Sequence, residues 1–386
     1  MTYIEKLLDG AEVEWRKLGD VTEIKTGKGI TKNDSSASAL YPIISGGKEP
    51  MGYYNKFNRI ENTVTISRVG ANAGYVSFID RKFYLNDKCF SILPIEKFKF
   101  EIDSKFLFYF LKSKETSITE LQSEGGVPTI NTTKVGSIKI PIPPLKIQQK
   151  IVAILDKFTE LTAELTAELT AELTARKQQY EYYREQLLMV NDKLLMNGVK
   201  AEWKTLGEVA EYSKKRISSS SVDKSNYVGV DNLLQNREGK TESNYVPTQG
   251  NLTGYSIGDV LIGNIRPYLK KIWHADRIGG TNGDVLAIHL TDKAINPRYL
   301  FQILADDKFF NYNMQHAKGA KMPRGNKDEI LKYRFPVPSL EEQERIVGIL
   351  DKFDTLTNSI SEGLPKEIEL RKQQYEYYRE QLLSFH

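Results

Sequence analysis

The chain contains an internal duplication that covers nearly its whole length. The segment RKQQYEYYREQLL occurs at 176–188 and again, without a single change, at 371–383, an offset of 195 residues. At the same offset, IPIPPLKIQQKIVAILDKFTELT (140–162) returns as FPVPSLEEQERIVGILDKFDTLT (335–357). A repeat of this length means that one structural frame is built twice, so we expect two similar halves.

The two copies begin with a weaker match. LLDG (7–10) resembles LLMNG (194–198), and Trp15 corresponds to Trp203 at an offset of 188. Because the offset grows from 188 to 195, the second copy holds about seven extra residues between its Trp and its Pro-x-Pro. Since the start of the chain repeats the central junction, we expect the N- and C-termini to lie close together. We also expect both tryptophans to anchor their domains to the helix ends.

The residue pattern separates mixed segments from helical ones. Short β-branched and aromatic runs such as TVTISRVG and DVLIGNIR, bounded by Gly, Asn and Asp, predict α+β domains. Apolar residues at three- and four-residue spacing predict long helices elsewhere. The predicted domains are two globular α+β domains at 1–144 and 198–339, with a central helical spacer at 145–197 and a C-terminal helical region at 340–386.

The two helical segments are expected to pair as an antiparallel coiled coil, which would relate the two domains by a pseudo-twofold axis. Each helix follows a Pro-x-Pro that we expect to end the preceding strand, because proline has no amide hydrogen to donate. The second helix should break or kink near Gly363 and Pro365. The positions that we expect to pack between the helices are Leu161, Leu165, Leu169, Leu173, Tyr180, Tyr183, Leu187, Ile346, Phe353, Tyr375, Tyr378 and Leu382.

A perfect four-residue repeat, TAELTAELTAEL, occupies 162–173. Its leucines fall on one helical face that drifts by ~40° per repeat, because four residues overshoot a 3.6-residue turn. Packing alone does not require such exact repetition. A repeat of this kind is how replication slippage makes a spacer of variable length, and here it lies midway between two divergent domains.

Charge follows the same division. The net charge is +3 in 1–140, zero in 141–200, +5 in 201–335 and −4 in 336–386, which gives +4 for the chain. Basic domains on neutral or acidic helices suit two polyanion-binding modules on a scaffold that contacts protein. An excess this small is also common in proteins that never meet DNA.

Several classes of protein are disfavoured by composition. One cysteine and four histidines leave neither a disulfide framework nor a cluster with metal-ligand spacing, and Cys89 lies in an apolar run typical of a buried core. No apolar run approaches the ~20 residues of a membrane span. The N-terminal residues include Glu5 and Asp9 where a signal peptide would be basic and then apolar. We therefore expect a cytoplasmic protein without a bound metal.

Taken together, the duplicated frame, the Pro-x-Pro before a helix with LDKF, the RKQQYEYYREQLL helix end and the TAEL repeats resemble the specificity subunits of type I restriction-modification systems, in particular the subfamily with TAEL repeats in its central helix. The resemblance spans essentially the whole chain and is most specific in the helices. It implies two target-recognition domains, each reading one half-site of a bipartite double-stranded DNA target. It also implies partners: two adenine methyltransferase subunits and, for cleavage, motor-nuclease restriction subunits.

The motifs of the corresponding catalysts are missing from the sequence. It contains no Asn-Pro-Pro-Tyr or Asp-Pro-Pro-Tyr for adenine methylation, no Gly-rich nucleotide fingerprint and no G-x-x-x-x-G-K-[ST] for ATP. We therefore expect no catalytic residues and no cofactor in this chain, and the resemblance implies that S-adenosylmethionine, ATP and Mg²⁺ are used by other subunits. A fused nuclease or methyltransferase, and a coiled-coil scaffold or DNA mimic that reads no sequence, remain the rival functions.

Candidate DNA contacts are residues that can reach phosphates or base edges. They concentrate in four loops, KTGKGITK (25–32), RVGANAG (68–74), RPYLKK (266–271) and KGAKMPRGN (318–326); the third is the positional counterpart of the second, and PTIN (128–131) corresponds to PRGN (323–326). The alternative for each is a solvated surface charge, and for the glycine-lysine loops a plain turn. The candidates are Lys25, Lys28, Lys32, Lys48, Arg68, Asn72, Asn131, Arg266, Tyr268, Lys270, Lys271, Lys318, Lys321, Arg324 and Asn326.

Overall fold

A computed structural model describes residues 3–123, 126–188, 190–191, 194–195, 200–358 and 362–385. Its contacts divide the chain into two units, Met1–Glu168 with Glu369–His386, and Leu169–Ile368. Each unit holds one mixed domain and part of each helical segment. Among the described residues, no helix is both long and apolar enough to cross a membrane.

The first unit is built on a four-stranded antiparallel sheet of order β2-β8-β5-β6, beside a three-stranded sheet β4-β3-β7 and a strand pair β1-β9. Its strands are β1 (Glu14–Lys17), β2 (Thr22–Thr26), β3 (Tyr41–Ile44), β4 (Tyr53–Tyr54), β5 (Thr63–Ser67), β6 (Val76–Ile79), β7 (Tyr84–Leu85), β8 (Cys89–Pro94) and β9 (Lys139–Ile142). Its helices are α1 (Tyr3–Leu8), α2 (Leu18–Val21), α3 (Ser104–Ser113), α4 (Glu115–Thr119), α5 (Thr132–Gly136) and the first part of α6 (Leu145–Leu188).

The second unit repeats this plan with sheets β13-β20-β17-β18 and β14-β16-β19-β15 and a strand pair β12-β21. Its strands are β10 (Val190–Asn191), β11 (Leu194–Leu195), β12 (Glu202–Thr205), β13 (Ala210–Tyr212), β14 (Arg216–Ser218), β15 (Tyr227–Val228), β16 (Asn251–Tyr255), β17 (Val260–Gly263), β18 (Ile272–His274), β19 (Gly279–Thr281), β20 (Val285–Leu290) and β21 (Arg334–Val337). Its helices are the rest of α6, α7 (Leu206–Val209), α8 (Pro297–Leu304), α9 (Asp307–Gln315), α10 (Lys327–Leu331), α11 (Leu340–Asn358) and the start of α12 (Gly363–Leu383).

The apolar runs that the sequence predicted as strands lie inside two corresponding sheets, β5 in β2-β8-β5-β6 and β17 in β13-β20-β17-β18. All five residues of β5 and all four of β17 are buried, and β-branched residues suit such a position because they pack well on a pleated surface. Ile66 pairs with Phe90, and Ile262 pairs with Leu286 at the equivalent place. The tandem α+β architecture predicted from the duplication is confirmed.

Within the first unit, α6 and α12 pack side by side. The rings of Phe158 and Tyr378 lie 5.8 Å apart, and the hydroxyls of Thr159 and Tyr375 are 2.9 Å apart. The later residue of α6, Thr159, contacts the earlier residue of α12, Tyr375. The two helices therefore run antiparallel, as predicted.

The end of the chain packs against its beginning in this unit. Ile4 shares a buried cluster with Leu382, Leu383 and Phe385, which confirms that the termini lie close together. The junction compared with the chain start, LLMNG (194–198), lies partly outside the described residues.

Within the second unit, Tyr180 of α6 stacks on Phe353 of α11 at 5.9 Å between ring centroids. Leu187 and Ile346 belong to the same buried core. Tyr183 also contacts Phe353, at 5.6 Å, but 40% of its surface stays exposed, as does 43% of Tyr378 in the first unit. Tyr180, Leu187 and Ile346 are therefore buried as predicted, whereas Tyr183 and Tyr378 are exposed and contact a neighbouring ring only at the edge of the packed surface.

The leucines of the TAEL repeats do not form one continuous buried seam. Leu169 is buried, Leu165 and Leu173 are half-buried, and Leu161 is 46% exposed. The prediction that Leu161 packs in the core is wrong, because a stripe that drifts ~40° per repeat cannot keep every leucine on one contact face.

The Pro-x-Pro segments do not end their strands at the first proline. Pro141 lies inside β9 and pairs with Trp15, and Pro336 lies inside β21 and pairs with Trp203. Each strand has a single neighbour, and an edge strand tolerates proline because one side needs no amide donor. The tryptophans are 43% and 38% exposed on these strand pairs, and the ring of Trp15 lies edge-on to that of Phe110, with 6.3 Å between centroids. That they anchor their domains to the helix ends stays a prediction.

The predicted interruption of the second helix is confirmed. Helix α11 ends at Asn358 and α12 begins at Gly363. Gly363 has φ +78°, and a Cβ there would lie 2.5 Å from the carbonyl oxygen of Thr355. Only glycine fits this left-handed turn. Cys89 is 1% exposed, as expected of a core thiol.

Candidate nucleic-acid interface

In the first unit, two of the candidate loops leave the four-stranded sheet at one end, beside the loop at 86–88. Antiparallel pairing brings the end of β2, the start of β8 and the end of β5 together, since Thr26 pairs with Phe90 and Ser67 with Cys89. The amide of Arg68 donates to the carbonyl of Lys88 at 2.8 Å. The loops at 25–32, 68–74 and 86–88 therefore share one edge.

Backbone and side-chain hydrogen bonds add the remaining loops to this edge. Ile130 N–H donates to the carbonyl of Arg68 at 2.8 Å, which fixes the PTIN segment beside the Arg68 loop. The side-chain amide of Asn72 donates to the carbonyl of Gly46 at 3.0 Å, which fixes the loop that carries Lys48. All of the candidates in the first domain thus lie in one cluster of loops, which we call the first basic edge (25–32, 45–48, 68–74, 86–88 and 128–131).

The cations of the first basic edge differ in how freely they face solvent. Lys28, Lys32 and Lys48 are exposed. Lys25 is paired with Glu23 at 2.6 Å. The half-buried guanidinium of Arg68 lies 5.5 Å from the Phe90 ring and donates to the carbonyl of Asp87 at 3.2 Å, so part of its donor fork is already used within the protein.

The second unit builds the same edge with different residues. Asn264 N–H donates to the carbonyl of Asp284 at 2.8 Å, which is the bond that Arg68 makes to Lys88 in the first copy. Gly325 N–H donates in turn to the carbonyl of Asn264 at 3.1 Å. The loops at 264–271, 282–284 and 318–326 form this second basic edge, and the predicted correspondence between the copies is confirmed.

Several candidate cations of the second basic edge are held by the protein itself. Lys270 pairs with Asp307 at 2.7 Å, and Lys271 donates to the carbonyl of Val230 at 2.6 Å. Burial lowers the pKa of both lysines from their ordinary value. These contacts favour structural roles for Lys270 and Lys271 over the predicted DNA contacts.

The remaining candidates of the second basic edge reach solvent. Arg324 is exposed and forms an ion pair with Asp284 at 3.1 Å. Lys318 and Lys321 are exposed, and half of the surface of Tyr268 is accessible. These side chains can contact a ligand without disturbing the core.

The two candidate asparagines have a local role that competes with base reading. The side-chain oxygen of Asn131 accepts from the amide of Lys134 at 2.8 Å, and that of Asn326 accepts from the amide of Asp328 at 3.2 Å. Both are N-caps, of α5 and α10. Asn before a short helix is a common capping signal, and the prediction of DNA contacts did not take it into account.

One basic cluster escaped the sequence prediction. This cluster comprises Lys214, Lys215 and Arg216, which follow β13. Strand β13 corresponds to β2 of the first unit, since Tyr212 pairs with Ile288 in the same way that Ile24 pairs with Ile92. The cluster is therefore the counterpart of the loop at 25–32. The three side chains are exposed. The KKR run itself was the available signal, and only the register of the sheets shows which loop it matches.

A duplicated surface also lies on the helices. Tyr182 and Tyr377 occupy the same position in the identical 13-residue segments, and they are 60% and 58% exposed. Each ring meets the next tyrosine edge-on, at 5.6 and 5.5 Å between centroids. Large aromatic rings exposed twice in the same way are typical of protein contact sites. Among the described residues, no group of three His, Cys, Asp or Glu side chains could hold a metal.

Comparison with known proteins agrees with this architecture. The family model for the type I restriction modification DNA specificity domain matches twice, at residues 11–175 and 199–370. The chain is 32% identical over 426 residues to the EcoR124I/EcoR124II type I specificity subunit of Escherichia coli, covering 100% of this chain and 97% of the relative. It is 31% identical to the EcoprrI specificity subunit of Escherichia coli, covering 94% and 92%.

Two solved structures share the fold. The S subunit of a type I restriction-modification system from M. genitalium superposes with a TM-score of 0.52 at 19% identity, over 100% of both chains. A chain of a type I system studied for complex assembly and conformational transition gives 0.65 at 17% identity, over 96% and 97%. With both domain copies matched and the full length aligned, the chain belongs to the specificity subunits of type I restriction-modification systems, the non-catalytic subunits that recognise DNA.

Proposed function

We propose that this chain binds a bipartite DNA target and that each basic edge reads one half-site. The observation that carries the proposal concerns the corresponding four-stranded sheets of the two units. Each of the two divergent domains places different basic loops at the equivalent end of its own sheet. Backbone contacts common to both copies set the position of the loops, while the side chains differ. Such an arrangement suits two modules that read two different sequences.

The helices supply the second part of the proposal, which is docking of two methyltransferase subunits. The RKQQYEYYREQLL segments are identical although the domains have diverged, and they expose the same tyrosine pair. Two identical surfaces fit two copies of one partner. The motor-nuclease subunits would join the same complex for cleavage, and S-adenosylmethionine, ATP and Mg²⁺ would be used by those other subunits.

The test of DNA reading is methylome sequencing of a host that carries the chain with its methyltransferase. We expect adenine methylation at two defined half-sites separated by a spacer of fixed length. A gel-shift competition of the purified complex, with the methylated duplex against random DNA, checks binding directly. Equal affinity for both DNAs would favour a scaffold without sequence reading, and methyl transfer by the isolated chain would favour a fused enzyme.

The test of docking uses the exposed tyrosines. Tyr182→Ser with Tyr377→Ser should reduce co-purification of the methyltransferase, because both surfaces lose their aromatic ring. Either substitution alone should leave one methyltransferase bound, as measured by the mass of the complex. Full binding by the double variant would contradict docking at these rings.

A further inference from the structure

Arg266 adopts a backbone conformation that L-residues rarely take. Its φ and ψ are 53° and 63°, in the left-handed region. The first copy has Gly70 at this position, with φ +94°. The correspondence is fixed by hydrogen bonds, since Gly70 N–H donates to Pro128 and Arg266 N–H donates to Pro323, at 3.0 and 2.7 Å. Glycine is the unstrained choice here, so an arginine at this position carries a local conformational cost.

The loop that carries Arg266 is held by backbone hydrogen bonds in the turn that follows it. A 3-10 turn, Pro267–Leu269, follows it and is closed by Lys270, which is also left-handed with φ 51°. The amide of Lys270 donates to Pro267, and the amide of Asn236 donates to Leu269, at 2.9 and 3.0 Å. Pro267 is buried. Strain that the surroundings hold in place is characteristic of functional sites.

The guanidinium of Arg266, unlike the cationic groups of Arg324, Lys270 and Lys271, is not bound to any described residue of the domain. The guanidinium of Arg324 is paired with Asp284, and the ammonium groups of Lys270 and Lys271 are used within the domain. Arg266 is exposed, and across the described part of the chain its guanidinium makes no hydrogen bond or ion pair. A Cβ at the equivalent Gly70 would meet nothing within 4 Å, so this backbone position faces open space.

We infer that Arg266 is a specificity-determining residue of the second domain and that it reads a guanine of its half-site. The inference rests on the proposed function. A guanidinium fork matches the O6 and N7 acceptors of guanine in the major groove, which a lysine can meet only as a point donor. The hydrogen-bonded turn fixes the backbone from which the Arg266 side chain extends, so the loop itself has less conformational entropy to lose on binding.

The test compares Arg266→Gly and Arg266→Lys with the unaltered chain, each purified with its methyltransferase. Affinities are measured on the cognate duplex and on duplexes with single base-pair changes in the second half-site. We expect Arg266→Gly to lose roughly 5- to 150-fold discrimination at one G·C pair and to keep it elsewhere. Arg266→Lys should recover only part of that discrimination. The unfolding midpoint of Arg266→Gly should not fall, because glycine removes the strain.

A matched control removes one charge at the far end of β20. The second basic edge includes Asp284, which precedes β20, whereas the exposed Lys293 follows that strand at its other end. Because Lys293 lies away from the second basic edge, Lys293→Ala should leave discrimination unchanged. Equal weakening on all duplexes by Arg266→Gly would identify a phosphate contact instead, and a lower unfolding midpoint would identify a structural role. A second half-site without guanine would also overturn the inference. Absence of any sequence preference in the unaltered complex would instead refute the proposed function.

Discussion

Gln148 and Gln343, which lie 195 residues apart, are both buried and make the same three hydrogen bonds. In the first unit, the side-chain oxygen of Gln148 accepts from the amide of Asp103 at 2.9 Å. Its amide nitrogen donates to the carbonyls of Glu101 and Pro143, both at 2.7 Å. The side chain thus ties the start of the long helix to the cap of α3 and to the Pro-x-Pro segment.

Gln343 repeats this arrangement in the second unit. Its oxygen accepts from the amide of Asn296 at 2.8 Å, and its nitrogen donates to the carbonyls of Ala294 and Pro338 at 3.0 and 2.9 Å. Both glutamines are fully buried. The junction between domain and helix is therefore conserved between the copies at the level of single hydrogen bonds.

Replacing Gln343 by Leu should destabilise the second unit. Leucine has a similar size but leaves the amide of Asn296 and two carbonyls without partners, and one unsatisfied buried group costs about 1 to 3 kcal/mol. Urea unfolding of the full chain measures the effect. Glu344→Gln, at the exposed neighbouring position, is the control and should leave the midpoint unchanged. Equal stability of the two variants would mean that the junction does not depend on these bonds.

Arg184 and Arg379 offer a comparison within identical sequence. Arg184 is 2% exposed, donates to Tyr180 and Gln302 at 2.8 and 2.7 Å, and pairs with Asp306 at 3.3 Å. Arg379 is half-buried, with its guanidinium 5.7 Å from the ring of Tyr375. Arg184→Met should cost about 3 to 5 kcal/mol, because it leaves a largely buried carboxylate without its partner.

The same substitution at Arg379 should cost less than about 1 kcal/mol, since a cation over an accessible ring contributes little. Thermal and urea unfolding of both variants give the comparison. Equal losses of unfolding free energy in the two variants would show that the two arginines contribute alike. The difference in their burial would then not determine their contribution to stability.

Removal of one TAEL unit, residues 166–169, should shorten the DNA spacer by about one base pair. The deletion removes roughly 6 Å of helix and ~40° of rotation, and one base pair of B-DNA adds a rotation of about 34 to 36°. The rises differ, but an inclined helix and bent DNA can absorb the difference. Methylome sequencing should show both half-sites unchanged.

The control for this deletion keeps the length of the helix. Glu168→Gln alters one repeat without removing residues and should leave the spacer as it is. A spacer that does not respond to the deletion, or a changed half-site, would show that the repeats only fill the helix.

Lys28→Ala should weaken binding to all duplexes alike. Lys28 is exposed in the first basic edge, and loss of one phosphate contact reduces the salt dependence of binding by about one unit of slope. Titration at several salt concentrations, with cognate and random DNA, measures this. Lys99→Ala, beyond the far end of β8, is the charge-matched control. A loss confined to the cognate duplex would make Lys28 a base reader.

The sequence by itself determined the features that depend on neighbouring residues or on the duplicated pattern. The tandem domains, the buried strands TVTIS and VLIG, the helices and the break at Gly363 follow from local spacing, β-branched runs and the need for a left-handed turn. The candidate loops were also visible as basic, glycine-rich runs. Their assembly into two edges followed the register of the sheets, which joins residues far apart in sequence.

Only the tertiary structure decided what each side chain does. Arg184 and Arg379 have identical neighbours in sequence, yet Arg184 is buried against Gln302 and Arg379 is only half-buried. Lys271 and Arg266 share one basic loop, but Lys271 bonds to Val230, 41 residues away. Burial and partners are set by contacts between distant segments, and these contacts exist only after the chain has folded.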